Sequence, residues 1–150
     1  MPNAVSKLSI TQAACDRLIE AATAKANEIG VPMVISVVDE SGTLKAFRRM
    51  DGAPALSIEI ATNKAYTAVG FGMPSHCWYE FIKNDPPLLH GIVHTPRLTS
   101  FGGGFPVTQD GQNIGGIGVS GGHYEQDMIV AEAALAALGE IGPHAEEVKQ

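Results

Sequence analysis

The chain has no basic run, no long hydrophobic run and almost no cysteine, and each lack removes a class of protein. Ten Lys+Arg stand against sixteen Asp+Glu, a formal charge of −6, so the electrostatic attraction that dominates nucleic-acid affinity is missing. No nucleic-acid partner is expected. No stretch approaches the roughly 18 consecutive apolar residues of a membrane helix, and Met1-Pro2-Asn3-Ala4-Val5 lacks the cationic start and apolar core of a secretory signal. The expectation is a cytoplasmic protein with no membrane partner. Cys15 and Cys77 are far apart with no Cys-x-x-Cys pair, which argues against a redox motif and a zinc ribbon. Neither G-x-x-x-x-G-K-[ST] nor Gly-x-Ser-x-Gly occurs, so a triphosphate cradle and a serine nucleophile elbow are both missing.

What is present is 150 residues, 45% hydrophobic, enough for one core and hardly for two. Residues 1–7 read as an N-terminal extension, 8–140 as the domain and 141–150 as a polar tail. Glycine is the surplus, 17 residues, seven of them between Gly102 and Gly118 with Gly121 and Gly122 just beyond.

Apolar periodicity predicts a first helix from an N-cap at Thr11 to Ile29, with Ala14, Leu18, Ala22, Ala26 and Ile29 on one face and Gly30 as the stop. Met33 to Val38 and Thr43 to Met50 form a hairpin about Asp39-Glu40-Ser41-Gly42. A second helix opens near Pro54, shows the small face Ile58, Ala61, Ala65 and Ala68, and ends at Gly70 and Gly72. A short helix follows Met73-Pro74-Ser75 with the apolar stripe Trp78, Phe81 and Ile82, of which Trp78 and Phe81 are expected to be exposed for a partner copy. Asn84-Asp85-Pro86-Pro87 breaks it, and irregular chain runs to Thr99. Phe105 to Gln109 and Gln112 to Ser120 pair through a type I′ turn at Asp110-Gly111. The last helix spans Tyr124 to Leu138, with Met128, Ala131, Leu135 and Leu138 on one face. Two hairpins among helices predict an α+β fold, an antiparallel sheet flanked by helices.

Gly116-Ile117-Gly118-Val119-Ser120-Gly121 spells G-x-G-x-x-G, yet only one helix and a tail follow, so the second strand of a dinucleotide-binding unit is missing. A Rossmann reading is rejected. Gly121-Gly122 still precedes a helix whose free N–H groups suit an anion, unless Glu125 and Asp127 satisfy that end.

Chemistry-bearing residues are few. His90 and His94 have i, i+4 spacing without the Glu of H-E-x-x-H, so no metal is assigned to them. His76 follows a helix cap, and His123 lies between a double glycine and a helix start, placed to exchange a proton. Arg97 can clamp a carboxylate, or else pair with Asp85 or Asp110. Lys64 falls on the small-residue face of the second helix, where it must either snorkel or find a carboxylate, with Asp51 or Glu59 as the expected partner. Gly102, Gly103 and Gly104 with Gly121 and Gly122 are expected to wall one ligand cleft.

Read together, PMVISVVD at Pro32 to Asp39, Met50-Asp51-Gly52-Ala53, Asn63-Lys64-Ala65-Tyr66-Thr67-Ala68, Phe101-Gly102-Gly103-Gly104-Phe105-Pro106 and Gly115 to Gly122 followed by Glu125-Gln126-Asp127 resemble the GlcG/HbpS family. The family includes the C-terminal domain of PduO-type cobalamin adenosyltransferases. The resemblance implies a single profilin-like domain, a homo-oligomer, a catabolic gene cluster and, in several members, haem as cofactor. Two functions are carried forward. In the first the protein binds haem or another tetrapyrrole, with His76, His90, His94 or His123 as axial ligand and Arg97 or Lys64 on a propionate. In the second the carboxylate of an organic acid or aromatic breakdown product is bound by Arg97 and the Gly121 and Gly122 amides, with His94 or His123 as catalytic acid/base; for either ligand the expected binding residues are Asp51, Lys64, Arg97, Gly103, Gly121, Gly122, His123 and Glu125. A third reading is an oligomeric accessory subunit without chemistry.

Overall fold

The structure is a computed structural model that describes residues 1–139; the predicted polar tail at 141–150 lies outside them. The described residues form a four-stranded antiparallel sheet sandwiched between helices. Helix α1 (Gln12–Ile29) starts where Thr11 Oγ1 accepts from the Ala14 N–H at 3.1 Å, and ends at Gly30, whose φ of 72° closes the helix in the left-handed region. Strands β1 (Val34–Asp39) and β2 (Leu44–Arg49) follow, then α2 (Ser57–Phe71) and α3 (Cys77–Ile82). Pro54 precedes α2 rather than opening it, and Gly70 lies inside the helix, so Gly72 alone ends it, with φ 70°.

One stretch departs from the predicted irregular chain. Asp85-Pro86-Pro87 ends α3 but also starts a helix, α4 (Pro86–Gly91), because proline is accommodated at the first helical position, where no N–H is needed. A 3-10 turn over Ile92–His94 continues it. Strands β3 (Gly104–Gln109) and β4 (Gln112–Ser120) and helix α5 (Tyr124–Leu138) complete the chain. The turn between β3 and β4 has positive φ at both Asp110 and Gly111, as a type I′ turn requires.

The strand order β2-β1-β4-β3 puts the first strand of one hairpin against the last strand of the other, with Ile35 opposite Val119 and Val37 opposite Ile117. Side chains alternate between the two faces of a sheet. Ile35, Val37, Val107, Ile117 and Val119 meet Leu18, Ala22, Ala131 and Leu135 of α1 and α5 in the main core. The other face is covered by α2, and there the sheet presents Gly104, Gly116 and Gly118. A Cβ at Gly116 would lie 2.6 Å from the Ala65 carbonyl oxygen, and one at Gly118 would overlap that of Ala61. Most of the G-x-G-x-x-G string is thus strand, and its first two glycines admit a helix, not a nucleotide. Trp78 is 4% exposed and packs with Met73, Cys77 and Ile82, which corrects its expected exposure; Phe81, at 55%, is exposed as expected.

Candidate functional site

The small face of α2 carries one long polar side chain, and the fold buries it completely. Lys64 is 0% exposed; its Nζ donates to Asp127 Oδ2 at 2.7 Å and to the Val119 carbonyl oxygen at 2.9 Å. Asp51 and Glu59, the partners expected from the sequence, are both exposed, and Asp127 of α5 takes their place. Asp127 is itself 1% exposed and accepts the Gly122 N–H on Oδ1 at 3.0 Å. Its signal was in the sequence all the same: it stands four residues before Ala131 on an otherwise apolar stripe, the same anomaly that singled out Lys64.

Burial sets the protonation of this pair. Loss of water pulls the Lys64 ammonium below its usual range and lifts the Asp127 carboxyl above its own, while their mutual attraction and hydrogen bond oppose both movements. An ammonium has three donors, and two of Lys64's are spent on oxygen. The ring of Phe101 lies next to it, with its centroid 5.1 Å from Nζ. Gly103 has to be glycine here, since its φ is 126° and a Cβ would stand 2.7 Å from the Lys64 Nζ.

Above Phe101 a cavity of about 420 Å³ opens, lined also by His76, Tyr79, Glu80, Gly102 and Tyr124. His76 is half-buried at the start of α3, its ring 5.5 Å from that of Phe105. Tyr124 opens α5, and its ring stacks on His123 at 4.1 Å. Glu80 forms an ion pair with Lys83 at 2.6 Å.

The structure therefore brings Lys64, Gly103 and Gly122 together around Asp127, with His76 in the adjoining cavity. Gly121, φ 154°, packs on the backbone of Pro32 and Met33. The start of α5 is internally satisfied: His123 Nδ1 accepts from the Glu125 N–H at 3.3 Å, and Gln126 Oε1 accepts from the His123 N–H at 3.0 Å. Glu125 and His123 are exposed there.

Other predicted residues lie elsewhere. Asp51 lines a separate cavity of about 640 Å³ with Arg48 and Arg49. Arg97, at φ 69°, stacks 3.8 Å over the Tyr66 ring instead of pairing with Asp85 or Asp110, and faces a cavity with Phe47, Ile58 and Asn63. His90 and His94 are exposed on α4 and the 3-10 turn. Among the described residues no group of three His, Cys, Asp or Glu is placed to hold a metal ion, and no helix is long and apolar enough to cross a membrane.

Comparison with known proteins agrees with this architecture. The family model described as "Haem degrading protein HbpS-like" matches residues 10–136. An uncharacterized 15.0 kDa protein from the dhaT-dhaS intergenic region of Citrobacter freundii is 42% identical over 135 residues, 89% of this chain and 94% of that protein. The crystal structure of Klebsiella pneumoniae protein ORFY superposes with a TM-score of 0.88 at 37% identity, covering 93% of this chain and 97% of that one. The PduOC:Heme complex superposes with a TM-score of 0.84 at 34% identity, covering 91% of this chain and all of that one (100%). With this sheet order, this glycine-lined α2 face and these likenesses, the chain belongs to the HbpS-like family.

Proposed function

We propose that the protein binds haem or a closely similar tetrapyrrole in the cavity between α3, the 100–103 bend and the start of α5, as a cytoplasmic homo-oligomer. The observation that carries the reading is the likeness to a relative solved as a haem complex, over 91% of this chain. The residues present fit the group. A tetrapyrrole needs flat apolar walls, a nitrogen or oxygen ligand for iron and a cation for its propionates. Phe101, Tyr79 and Tyr124 offer the walls and His76 the nitrogen, while Lys83, outside the lining but ion-paired to Glu80 within it, is the cation that a propionate would have to draw from Glu80.

Of the four histidines considered as axial ligand, His76 is the one that lines this cavity, whereas His90, His94 and His123 are exposed. Haem bound there would supply a coordinated iron; the chain's own part is to hold and screen it. Acid/base catalysis on an organic acid by His94 or His123 has weaker support, because the His123 Nδ1 is engaged as a helix cap and Arg97 stacks on Tyr66.

Titration of the purified protein with haem tests the reading by absorbance. The expected result is a saturable Soret band, lost or shifted in His76→Ala and kept in His90→Ala, His94→Ala and His123→Ala. An unchanged spectrum in His76→Ala moves the ligand to another residue, and no Soret band at all removes haem.

A further inference from the structure

Among the described residues, Lys64 has a hydrogen-bond capacity that no further oxygen completes. Two of its three N–H donors meet the Val119 carbonyl and Asp127 Oδ2, and the ammonium lies over the Phe101 ring, 5.1 Å from its centroid. Phe101 is also a wall of the 420 Å³ cavity and is 45% exposed, in a bend followed by Gly102, Gly103 and Gly104. One side chain thus belongs both to the cover of a buried ammonium and to the lining of a solvent-reachable cavity.

We propose that Lys64 is a gated hydrogen-bond donor of this cavity: when the Phe101 ring turns aside, the third N–H of Lys64 binds the carbonyl oxygen of a small, neutral, planar ligand.

Charge decides the ligand class. Lys64 is already balanced by Asp127, as Glu80 in the cavity wall is by Lys83. A carboxylate entering next to this pair adds an uncompensated negative charge at low dielectric, which is costly. A neutral carbonyl completes the third donor without one. The walls favour an aromatic body, since Tyr79, Phe101 and Tyr124 offer ring faces and His76 an imidazole. The anchoring is rigid as well: Lys64 is on α2, Asp127 on α5 and Val119 on β4, so the donor stays fixed while the gate moves. The inference uses the same cavity as the haem reading but does not rest on it, and its test contains no haem.

Benzamide, benzoate and toluene serve as probes of one shape and three polarities, with binding measured by NMR chemical-shift titration. Lys64 accessibility is followed by reductive dimethylation and mass spectrometry. Phe101→Ala should expose Lys64 to dimethylation, with benzamide protecting it. That variant should bind benzamide at least about tenfold tighter than toluene, the usual worth of a hydrogen bond to a charged donor, with benzoate no better than toluene. The double variant Lys64→Met with Asp127→Asn, built on Phe101→Ala, keeps an acceptor for the Gly122 N–H and should lose the benzamide preference. Circular dichroism confirms the fold of each variant. The proposal is overturned if Lys64 stays unlabelled in folded Phe101→Ala, if benzamide and toluene bind alike, or if benzoate binds best. Loss of the Soret band in a separate haem titration of His76→Ala would leave each of these outcomes unaffected.

Discussion

The two faces of the sheet are built by opposite rules. Towards α1 and α5 the strands project Ile35, Val37, Val107, Ile117 and Val119, and helices and sheet are held apart by interlocking aliphatic side chains. Towards α2 they project Gly104, Gly116 and Gly118, and backbone meets backbone. The first face gains stability from apolar area, at about 25 cal/mol per Å². The second has little area per contact, but it brings polar groups into reach: Ser36 and Thr62 share a hydrogen bond of 2.9 Å, and Lys64 passes under the Gly103 loop to Asp127. Volume stabilises the fold on one side, while closeness assembles the chemistry on the other.

The largest expected effect is on the close face. In Gly118→Val a side chain has to occupy space held by the Ala61 carbonyl and the Ala65 backbone nitrogen, so α2 must lift off the sheet and carry Lys64 away from Asp127. Loss of more than about 4 kcal/mol is expected, beyond ordinary overpacking because the obstacle is backbone. Urea denaturation checks it. A stable, cooperatively folded Gly118→Val protein would mean that the helix is not seated on the glycines.

That face also shows what was legible in the sequence. The α5 bounds, the Thr11 cap and the Asp110-Gly111 turn could be read directly, since each is a local rule applied to neighbouring residues. Lys64 stood out as a polar residue on a small-residue stripe and Asp127 carried the same anomaly on its own helix, but their pairing did not show, because 63 positions separate them and pairing at that distance is set by topology. The glycine string looked like a loop motif because glycine has no side chain to report which neighbour it admits. Trp78 was misjudged for a related reason: its helix packs on Met73 and Cys77 at its own start, contacts that a three-residue stripe does not reveal.

The second prediction tests whether closeness is an asset without its charge. Lys64→Met strands a buried carboxylate and should cost about 3–5 kcal/mol, whereas Lys64→Met with Asp127→Asn should be near neutral at pH 7, within about 1 kcal/mol. The pH dependence gives a sign. The folded Asp127 carboxyl is raised, so stability falls as pH rises from the ordinary carboxylate range towards its folded value; the folded Lys64 is lowered, so stability recovers as pH rises towards the ordinary lysine range. His123 opposes the first movement from the neighbouring turn. Measured against the double variant, the wild type should therefore be at its greatest relative disadvantage in the neutral range and gain towards both ends. A flat difference across pH would show that burial does not shift the pair.

The smallest pair of effects comes from adjacent residues of one strand that point to opposite faces. Val37 is fully buried against α1 and α5, and Val37→Ala should cost about 2 kcal/mol from lost transfer energy and the space left behind. Ser36→Ala removes a hydroxyl on the α2 side, but Thr62 Oγ1 also approaches the Ile58 carbonyl at 3.4 Å, so its proton keeps an acceptor. The cost should be about 1 kcal/mol or less. If chemical denaturation ranks them the other way, the hydrogen bond, not aliphatic volume, is what holds the centre of β1, and the contrast between the two faces is reversed at its midpoint.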